Sequence, residues 1–432
     1  MASKGDFVMT LGNPIQGWLS RNRKAGPGTG GVPVTLRQLP CLTGARFVAA
    51  LLVVLFHFGR LSPIPGFFFS WGQQAVSFFF ILSGLVLTNS YNDAIRSRSV
   101  GWFGFMNLRM ARIVPLHVAT WLIATMLFLF FAWKPDQGQH PLATWTVGLL
   151  CLQVYWPSAE NLFRWNGQAW SISCELSFYL VLPFILPPLA RYLRSTRSLV
   201  AAMATAWVAQ AAALFGAAGF FVYYMQFKHP SFVGPLFAQR LRDVVLVFPP
   251  LRVGEFVVGM CLGLLILHRG TVLRSALSAN LALGLGCAAA IALMKFPPWD
   301  RLGPIMSATR EYLLFVPALA LIILALASGK TLVTPLLENP FAILLGDASY
   351  ALYLLHGFLE PDSYRTWLRG GVPVNGVVAN PAVYILCVIG SILLSILFHL
   401  FLERPARRAW RRAAMDGEVR RAPKLVTESE SA

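Results

Sequence analysis

The sequence predicts an all-α polytopic membrane protein with about ten transmembrane helices and both termini in the cytoplasm. Hydrophobic residues make up 56% of its 432 residues and charged residues only 12%, whereas soluble domains have roughly 25% charged residues. The mean hydropathy is +0.61. Apolar stretches long enough to cross a bilayer follow one another from about residue 44 to residue 402. Together these observations exclude an ordinary soluble domain.

Ten segments have the length and composition of transmembrane helices. In chain order they are 44–60, 73–90, 113–133, 169–190, 199–225, 252–268, 276–294, 312–328, 341–359 and 382–402. The segment 142–156 is also apolar, but its fifteen residues are short for a span. We predict that this segment is re-entrant or lies on the outer surface.

The distribution of Lys and Arg supports this topology. With ten spans, cytoplasmic segments carry 23 Lys and Arg residues and outside segments carry 12. If 142–156 also crossed, the counts would be 19 and 16. Because cytoplasmic loops are enriched in Lys and Arg, ten spans with both ends inside are favoured.

The sequence predicts that the chain has three parts. Residues 1–40 contain Gly, Pro and scattered Arg without the apolar core of a signal peptide, so we expect a flexible cytoplasmic leader. The membrane domain is predicted over 41–403. Residues 404–432 are predicted to form a basic cytoplasmic tail that begins as a helix.

The formal net charge of +18 restricts the partners. Basic proteins can bind nucleic acid, but these charges are spread over the segments that flank the spans, which is typical of contact with anionic lipid. We therefore expect membrane lipids as partners and no nucleic acid. The six cysteines are scattered without metal-ligand or redox spacing, so we expect no metal.

Arg46 and His57 are the most informative polar pair in the first span. The ten residues between them, FVAALLVVLF, have no polar side chain. Eleven residues are about three helical turns, so both side chains share one face and lie roughly 16–17 Å apart along the axis. Because ionisable groups inside a membrane are costly, they usually face a bundle interior or a water-filled path. The pair therefore indicates a functional site.

Depth along each predicted span groups these residues further. Counting 1.5 Å per residue from the predicted span ends places His57, Glu175 and His356 in the outer half of the membrane. A carboxylate beside a histidine is typical of a general base. We therefore predict His57 and Glu175 as catalytic residues, whereas for His356 a structural role is favoured.

A second group is predicted at the inner face. Arg109 and Arg112 are one turn apart at the predicted start of the third span, at the same side of the membrane as Arg46. Arginine forks bind phosphate oxygens in a bidentate manner, so the three arginines suit a phosphorylated substrate. Without Arg46, the other two would indicate topology alone.

Six motifs in order resemble the acyltransferase-3 family of integral membrane acyltransferases, and the resemblance covers roughly residues 38–408. They are LTGARFVAALLVVLFHF at 42–58, GQQAVSFFFILSG at 72–84, Arg109-x-x-Arg112 followed by Ile113 and Pro115, WSISCELSFY at 170–179, LGDASYALYLLH at 345–356, and Glu403-Arg404-Pro405.

The resemblance implies an O-acyltransferase of the bacterial inner membrane, with ten transmembrane helices. Its donor substrate would be cytoplasmic acetyl-CoA or another acyl-CoA, with no tightly bound cofactor. Its acceptor would be a carbohydrate hydroxyl on an exopolysaccharide or other cell-surface glycan, and polysaccharide biosynthesis proteins are expected partners. Carried onto this chain, His57 is the general base, Glu175 its partner, and Arg46, Arg109 and Arg112 the donor ligands. Supporting residues from the motifs are Ser83, Trp170, Ser173, Tyr179, Tyr350, Tyr353 and His356.

Two other classes of function fit the sequence less well. A transporter or exporter of a lipid-linked or anionic solute would show paired broken helices and internal repeats, and we find neither clearly in the sequence. A scaffold protein does not explain ionisable residues such as Arg46 and His57 within a span. The motifs therefore favour the acyltransferase.

Overall fold

Helices account for each of the ten predicted spans in the computed structural model, which describes residues 39–59, 71–131, 140–155, 165–228, 247–270, 272–295, 313–360 and 381–421. In chain order the helices are α1 (Pro40–Phe58), α2 (Gly72–Arg96), α3 (Trp102–Phe131), α4 (Pro141–Leu149), α5 (Trp170–Tyr192), α6 (Thr196–Lys228), α7 (Pro249–Arg269), α8 (Ala276–Lys295), α9 (Val316–Ala327), α10 (Thr334–Glu338), α11 (Pro340–Asp347), α12 (Ser349–Leu355), α13 (Pro381–Phe398) and α14 (Arg404–Arg421). The predicted leader 1–40 lies almost entirely outside the described residues, as does the end of the tail.

The all-α polytopic class is confirmed. Within the described residues, eight helices are long and apolar enough to cross a membrane, and α11 with the helix that follows it form a ninth candidate bent by 46°. The α9 helix, at 12 residues, is shorter. The number of ten crossings and the location of both termini stay predictions.

The short apolar segment near 142–156 forms a nine-residue helix, α4, and a 3-10 turn at Gln153–Tyr155. Nine residues rise about 13–14 Å, which is less than half of a hydrocarbon core of ~30 Å. This helix alone is therefore too short to cross.

Two helices form the centre of the bundle. In α2 and α7 the most apolar windows are 83% and 78% buried, and the two helices pack closely because glycines face each other's backbone. A Cβ on Gly84 would lie 2.1 Å from the Phe256 carbonyl oxygen, and one on Gly259 would lie 1.9 Å from the Ile81 carbonyl oxygen. Small residues at helix contacts are typical of membrane bundles.

The first turns of α1 are held in the same way. A Cβ on Gly44 would lie 2.0 Å from the Leu337 carbonyl oxygen, and one on Gly346 would lie 2.0 Å from the Thr43 carbonyl oxygen. These approaches press α1 against α10 and α11. Arg46 is therefore carried by a helix that is fixed on two sides.

Helix bounds differ from the predicted spans at two places. The α3 helix begins at Trp102, eleven residues before the predicted start at 113. The α13 helix continues through a π-helical turn, His399–Glu403, directly into α14. The predicted boundary between domain and tail at 403 therefore falls inside a continuous helix. The first turns of α14 pack on α3 and are part of the bundle.

Candidate active site

A cleft between five helices holds most of the predicted site. Its walls come from α1, α2, α3, α5 and α12, and the space between them is about 750 Å³ with the open mouth included. The polar side chains that line the cleft are Arg46, Ser83, Arg109, Arg112, Ser171, Glu175, Tyr179, Ser349, Tyr350 and Tyr353.

The three predicted donor arginines therefore share one cavity. Arg109 is only 6% exposed, and its terminal amino group donates a hydrogen bond to the Tyr91 hydroxyl. Its guanidinium carbon also lies 4.9 Å from the centre of the Tyr91 ring and 5.8 Å from that of Phe105. Such cation–π contacts fix the planar guanidinium in one orientation.

Glu175 also lines this cleft, where it lies with the arginines. Its Oε2 accepts a hydrogen bond of 2.9 Å from the Tyr179 hydroxyl, one helical turn further along α5. The positive charges of Arg112 and Arg46 attract its carboxylate and favour the charged form. Glu175 therefore balances part of the positive charge of the cleft.

The sequence predicts that Glu175 pairs with His57, and this pairing stays a prediction. His57 is not among the described residues that line the cleft. The α3 helix begins eleven residues before the predicted start, so Arg112 lies ten residues, or roughly 15 Å, into its helix instead of at the inner end. The arginines are thus deep enough to meet Glu175 near the middle of the bundle.

His57 contacts His356. The two ring centroids are 5.0 Å apart with the planes tilted by 47°. His57 is partly buried and His356 is fully buried. The site thus brings together the two predicted histidines, from the ends of α1 and α12.

Hydrogen bonds define the state of His356. Its Nδ1 lies 3.2 Å from the Leu352 carbonyl oxygen, which can only accept, so Nδ1 carries the proton. Its Nε2 lies 3.4 Å from the Gln168 amide nitrogen, which can donate to it. Gly357 permits this approach, since a Cβ there would lie 2.6 Å from the Gln168 side-chain oxygen. Both nitrogens are engaged in a neutral ring, which suits a structural role for His356.

Tyr353 connects the cleft to the histidines. It lines the cleft, and its ring centroid lies 6.1 Å from that of His356 and 6.2 Å from that of Phe79. Nearby, the Tyr350 hydroxyl donates a 3.1 Å hydrogen bond to the Ile113 carbonyl oxygen, which ties α12 to α3 beside Arg112. The cleft thus extends from the arginines toward the His57–His356 pair.

The other predicted supporting residues take different places. Ser83 lines the cleft. Trp170 is buried with its ring edge-on to Phe80 at 6.3 Å, and the Ser173 hydroxyl donates to the Ala169 carbonyl oxygen at 3.4 Å. Within the described lining, neither Trp170 nor Ser173 occurs, so both support the wall from behind.

Sequence reasoning missed a buried ion pair behind the cleft. Arg252 and Glu255, one turn apart on α7, are both fully buried and joined at 3.0 Å. The Ser77 hydroxyl donates to Glu255 at 3.0 Å and accepts from Arg252 at 3.1 Å. The Arg252 guanidinium lies 5.1 Å from the ring centre of Phe80, which lines the cleft. The opposite charges at i and i+3 in an apolar helix were the available signal.

Comparison with known proteins defines the class. The family described as an acyltransferase domain, acyltransferase-3, matches residues 39–400. The chain therefore belongs to the acyltransferase-3 family and, with its apolar helices, is an integral membrane protein. It is 28% identical over 420 residues to the acyltransferase MdmB of Streptomyces mycarofaciens, covering 91% of this chain and 100% of that protein. No solved structure gives a significant match.

Proposed function

We propose that this acyltransferase transfers an acetyl group from cytoplasmic acetyl-CoA to a hydroxyl of a carbohydrate acceptor at the bacterial inner membrane. The acceptor is an exopolysaccharide or another cell-surface glycan. The observation that carries the proposal is the cleft itself, whose lining holds the three arginines together with Tyr353. The Tyr353 ring lies beside His356, and His356 lies beside His57.

The donor end follows from the arginines. A guanidinium binds phosphate oxygens through two parallel hydrogen bonds, and Arg46, Arg109 and Arg112 all line the cleft. Arg46 and His57 lie roughly 16–17 Å apart along α1, which is comparable to an extended pantetheine arm. With its phosphates at the arginines, the donor can therefore bring its thioester to His57.

The chemistry then needs a base near neutral pKa, which imidazole provides. His57 accepts the proton of the acceptor hydroxyl, and the oxygen attacks the carbonyl carbon of the thioester. The carbon–sulfur bond breaks, and the CoA thiolate takes the proton from the imidazolium of His57. The products are an acetyl ester and CoA.

Glu175 has a positioning role in this scheme. It lies among the arginines and accepts from Tyr179, so it orients the guanidinium groups and limits their mutual repulsion. His356, whose nitrogens are engaged by Leu352 and Gln168, packs against His57 and fixes its ring.

The experiment compares the acetyl content of cell-surface glycans in cells that carry the wild-type gene, no gene, or His57→Ala. We expect loss of the gene to remove the acetyl groups and His57→Ala to lower the rate about 10²–10⁴-fold, the usual contribution of a general base. His117→Gln is the matched control, because His117 is also buried in the membrane domain but bonds to the Leu149 carbonyl oxygen.

Two results would contradict the proposal. Normal acetylation by His57→Ala, with protein levels equal to wild type, would remove His57 from the chemistry. A Glu175→Gln variant separates the roles further: its pH–rate profile should keep the limb due to His57. If the limb moved to a different pH in Glu175→Gln, Glu175 would instead be a direct partner of His57.

A further inference from the structure

The helix that follows the last predicted span, α14, carries two arginines near the cleft. Arg407 and Arg411 lie one turn apart on α14, so they share a face. The helix is fastened to α3 by a 2.8 Å hydrogen bond from the Trp410 indole to the Asn107 side chain. Asn107 is on the same helix as Arg109 and Arg112, so this bond holds α14 against the helix that carries two of the donor arginines.

The charges of the two helices act on each other. Arg411 lies within the electrostatic reach of Arg109 and Arg112, and Arg407 lies within that of Arg112. Arg407 also pairs with Glu403 at 3.9 Å, and Glu403 in turn holds His399 at 2.9 Å. The arginines of α14 therefore extend the positive charge of the cleft.

Two atoms of this cluster indicate a ligand. The Nε groups of Arg109 and Arg411 are buried, and within the described residues neither has a hydrogen-bond partner. A buried hydrogen-bond donor that has no acceptor costs free energy. The charge balance agrees, because five arginines lie together with three carboxylates in the described part of this region. The arginines are Arg46, Arg109, Arg112, Arg407 and Arg411, and the carboxylates are Glu175, Asp347 and Glu403.

We propose that Arg407 and Arg411 bind a phosphate monoester of the donor, the 3′-phosphate of CoA. The inference rests on the proposed function, in which the cleft arginines hold the diphosphate. The 3′-phosphate is at the end of CoA remote from the thioester. Along α3, α14 is bonded at Asn107, whereas Tyr350, on the helix that leads to His356, is bonded six residues further on, at Ile113. A monoester carries up to two negative charges, which two arginines on one helix face match.

Anionic lipid offers similar chemistry, since its headgroup also contains phosphate. The lipid phosphate is a diester with a single charge, and it is already present in the membrane. The two sources are separated by reconstituting the full chain in nanodiscs of phosphatidylcholine alone and in nanodiscs that contain phosphatidylglycerol. Binding of the 3′-phosphate should persist in phosphatidylcholine.

The experiment measures the affinity of the purified protein for CoA and for dephospho-CoA, which lacks only the 3′-phosphate. We expect wild type to bind CoA about tenfold to a hundredfold more tightly, as removal of a charged hydrogen-bonding group implies. Arg411→Ala should lower the affinity for CoA by a similar factor and leave that for dephospho-CoA unchanged. Arg407→Ala should act in the same direction.

Matched controls come from the same helix. Arg408 and Arg412 are exposed, so Arg408→Ala and Arg412→Ala remove the same charge and should keep the preference for CoA. Unchanged binding of dephospho-CoA by Arg411→Ala also shows that this variant is folded.

The outcomes are distinct. Equal affinity of wild type for the two ligands would overturn the inference and leave the proposed donor intact. No binding of CoA at all would overturn both. A preference that survives in Arg411→Ala and Arg407→Ala, or that exists only with phosphatidylglycerol, would exclude these arginines as the 3′-phosphate site.

Discussion

Replacing Gly84 by alanine tests the close helix contact behind the cleft. The added Cβ would lie 2.1 Å from the Phe256 carbonyl oxygen and 2.9 Å from the Met260 nitrogen, both of them backbone atoms of α7. An ordinary contact needs about 3.4 Å, so α2 and α7 must separate by roughly 1.3 Å. No side-chain rotation can relieve this clash.

The size of the effect follows from two opposing terms. Overpacking a filled interface costs about 1–3 kcal/mol, whereas replacing glycine by alanine inside a helix gains about 0.5–1 kcal/mol. We expect the variant to lose about 1–2 kcal/mol of stability. Activity should fall further, because α2 carries Ser83 and Phe80 in the cleft wall and a displacement of 1 Å can cost about 10²-fold in rate.

The assay is thermal unfolding of the purified protein in detergent, together with the rate of acetyl transfer. Gly284→Ala is the control, since it is within α8 and a Cβ there meets nothing within 4 Å. It should be as stable as wild type or slightly more stable. If Gly84→Ala matched the control in both stability and rate, the helices could not be packed as closely as described.

Two further variants test the charged groups. The double variant of Arg109→Ala and Arg112→Ala should weaken CoA and dephospho-CoA alike, by about tenfold or more for each lost charged contact; unchanged affinities in calorimetry would exclude these residues as the donor clamp. Arg252→Met should lower stability by about 3–5 kcal/mol because it leaves Glu255 buried without its partner, whereas adding Glu255→Leu should restore most of the loss. Equal unfolding temperatures for wild type and the single variant would contradict a stabilising role for this pair.

The helices were predictable because hydropathy and length alone define a membrane span. Their ends were less so, because a scan for apolar residues stops at charges. The third span was therefore predicted to begin at 113, directly after Arg112, although α3 begins at Trp102. The arginines were therefore predicted at the inner end of the third span, whereas Arg112 lies ten residues into α3. The contact between His57 and His356, from opposite ends of the chain, depends on how α1 and α12 pack, which no local pattern encodes.

The basic residues after the last span show why one signal can have two meanings. Arginines beyond the membrane are expected from topology, and that interpretation accounts for exposed residues such as Arg408 and Arg412. It does not account for Arg411, whose Nε is buried beside the cationic α3. Burying a guanidinium near like charges opposes folding unless something compensates it, so such an arrangement needs a reason that topology does not supply. The donor proposed above would supply one, because the residues that orient the protein in the membrane would then also bind its substrate.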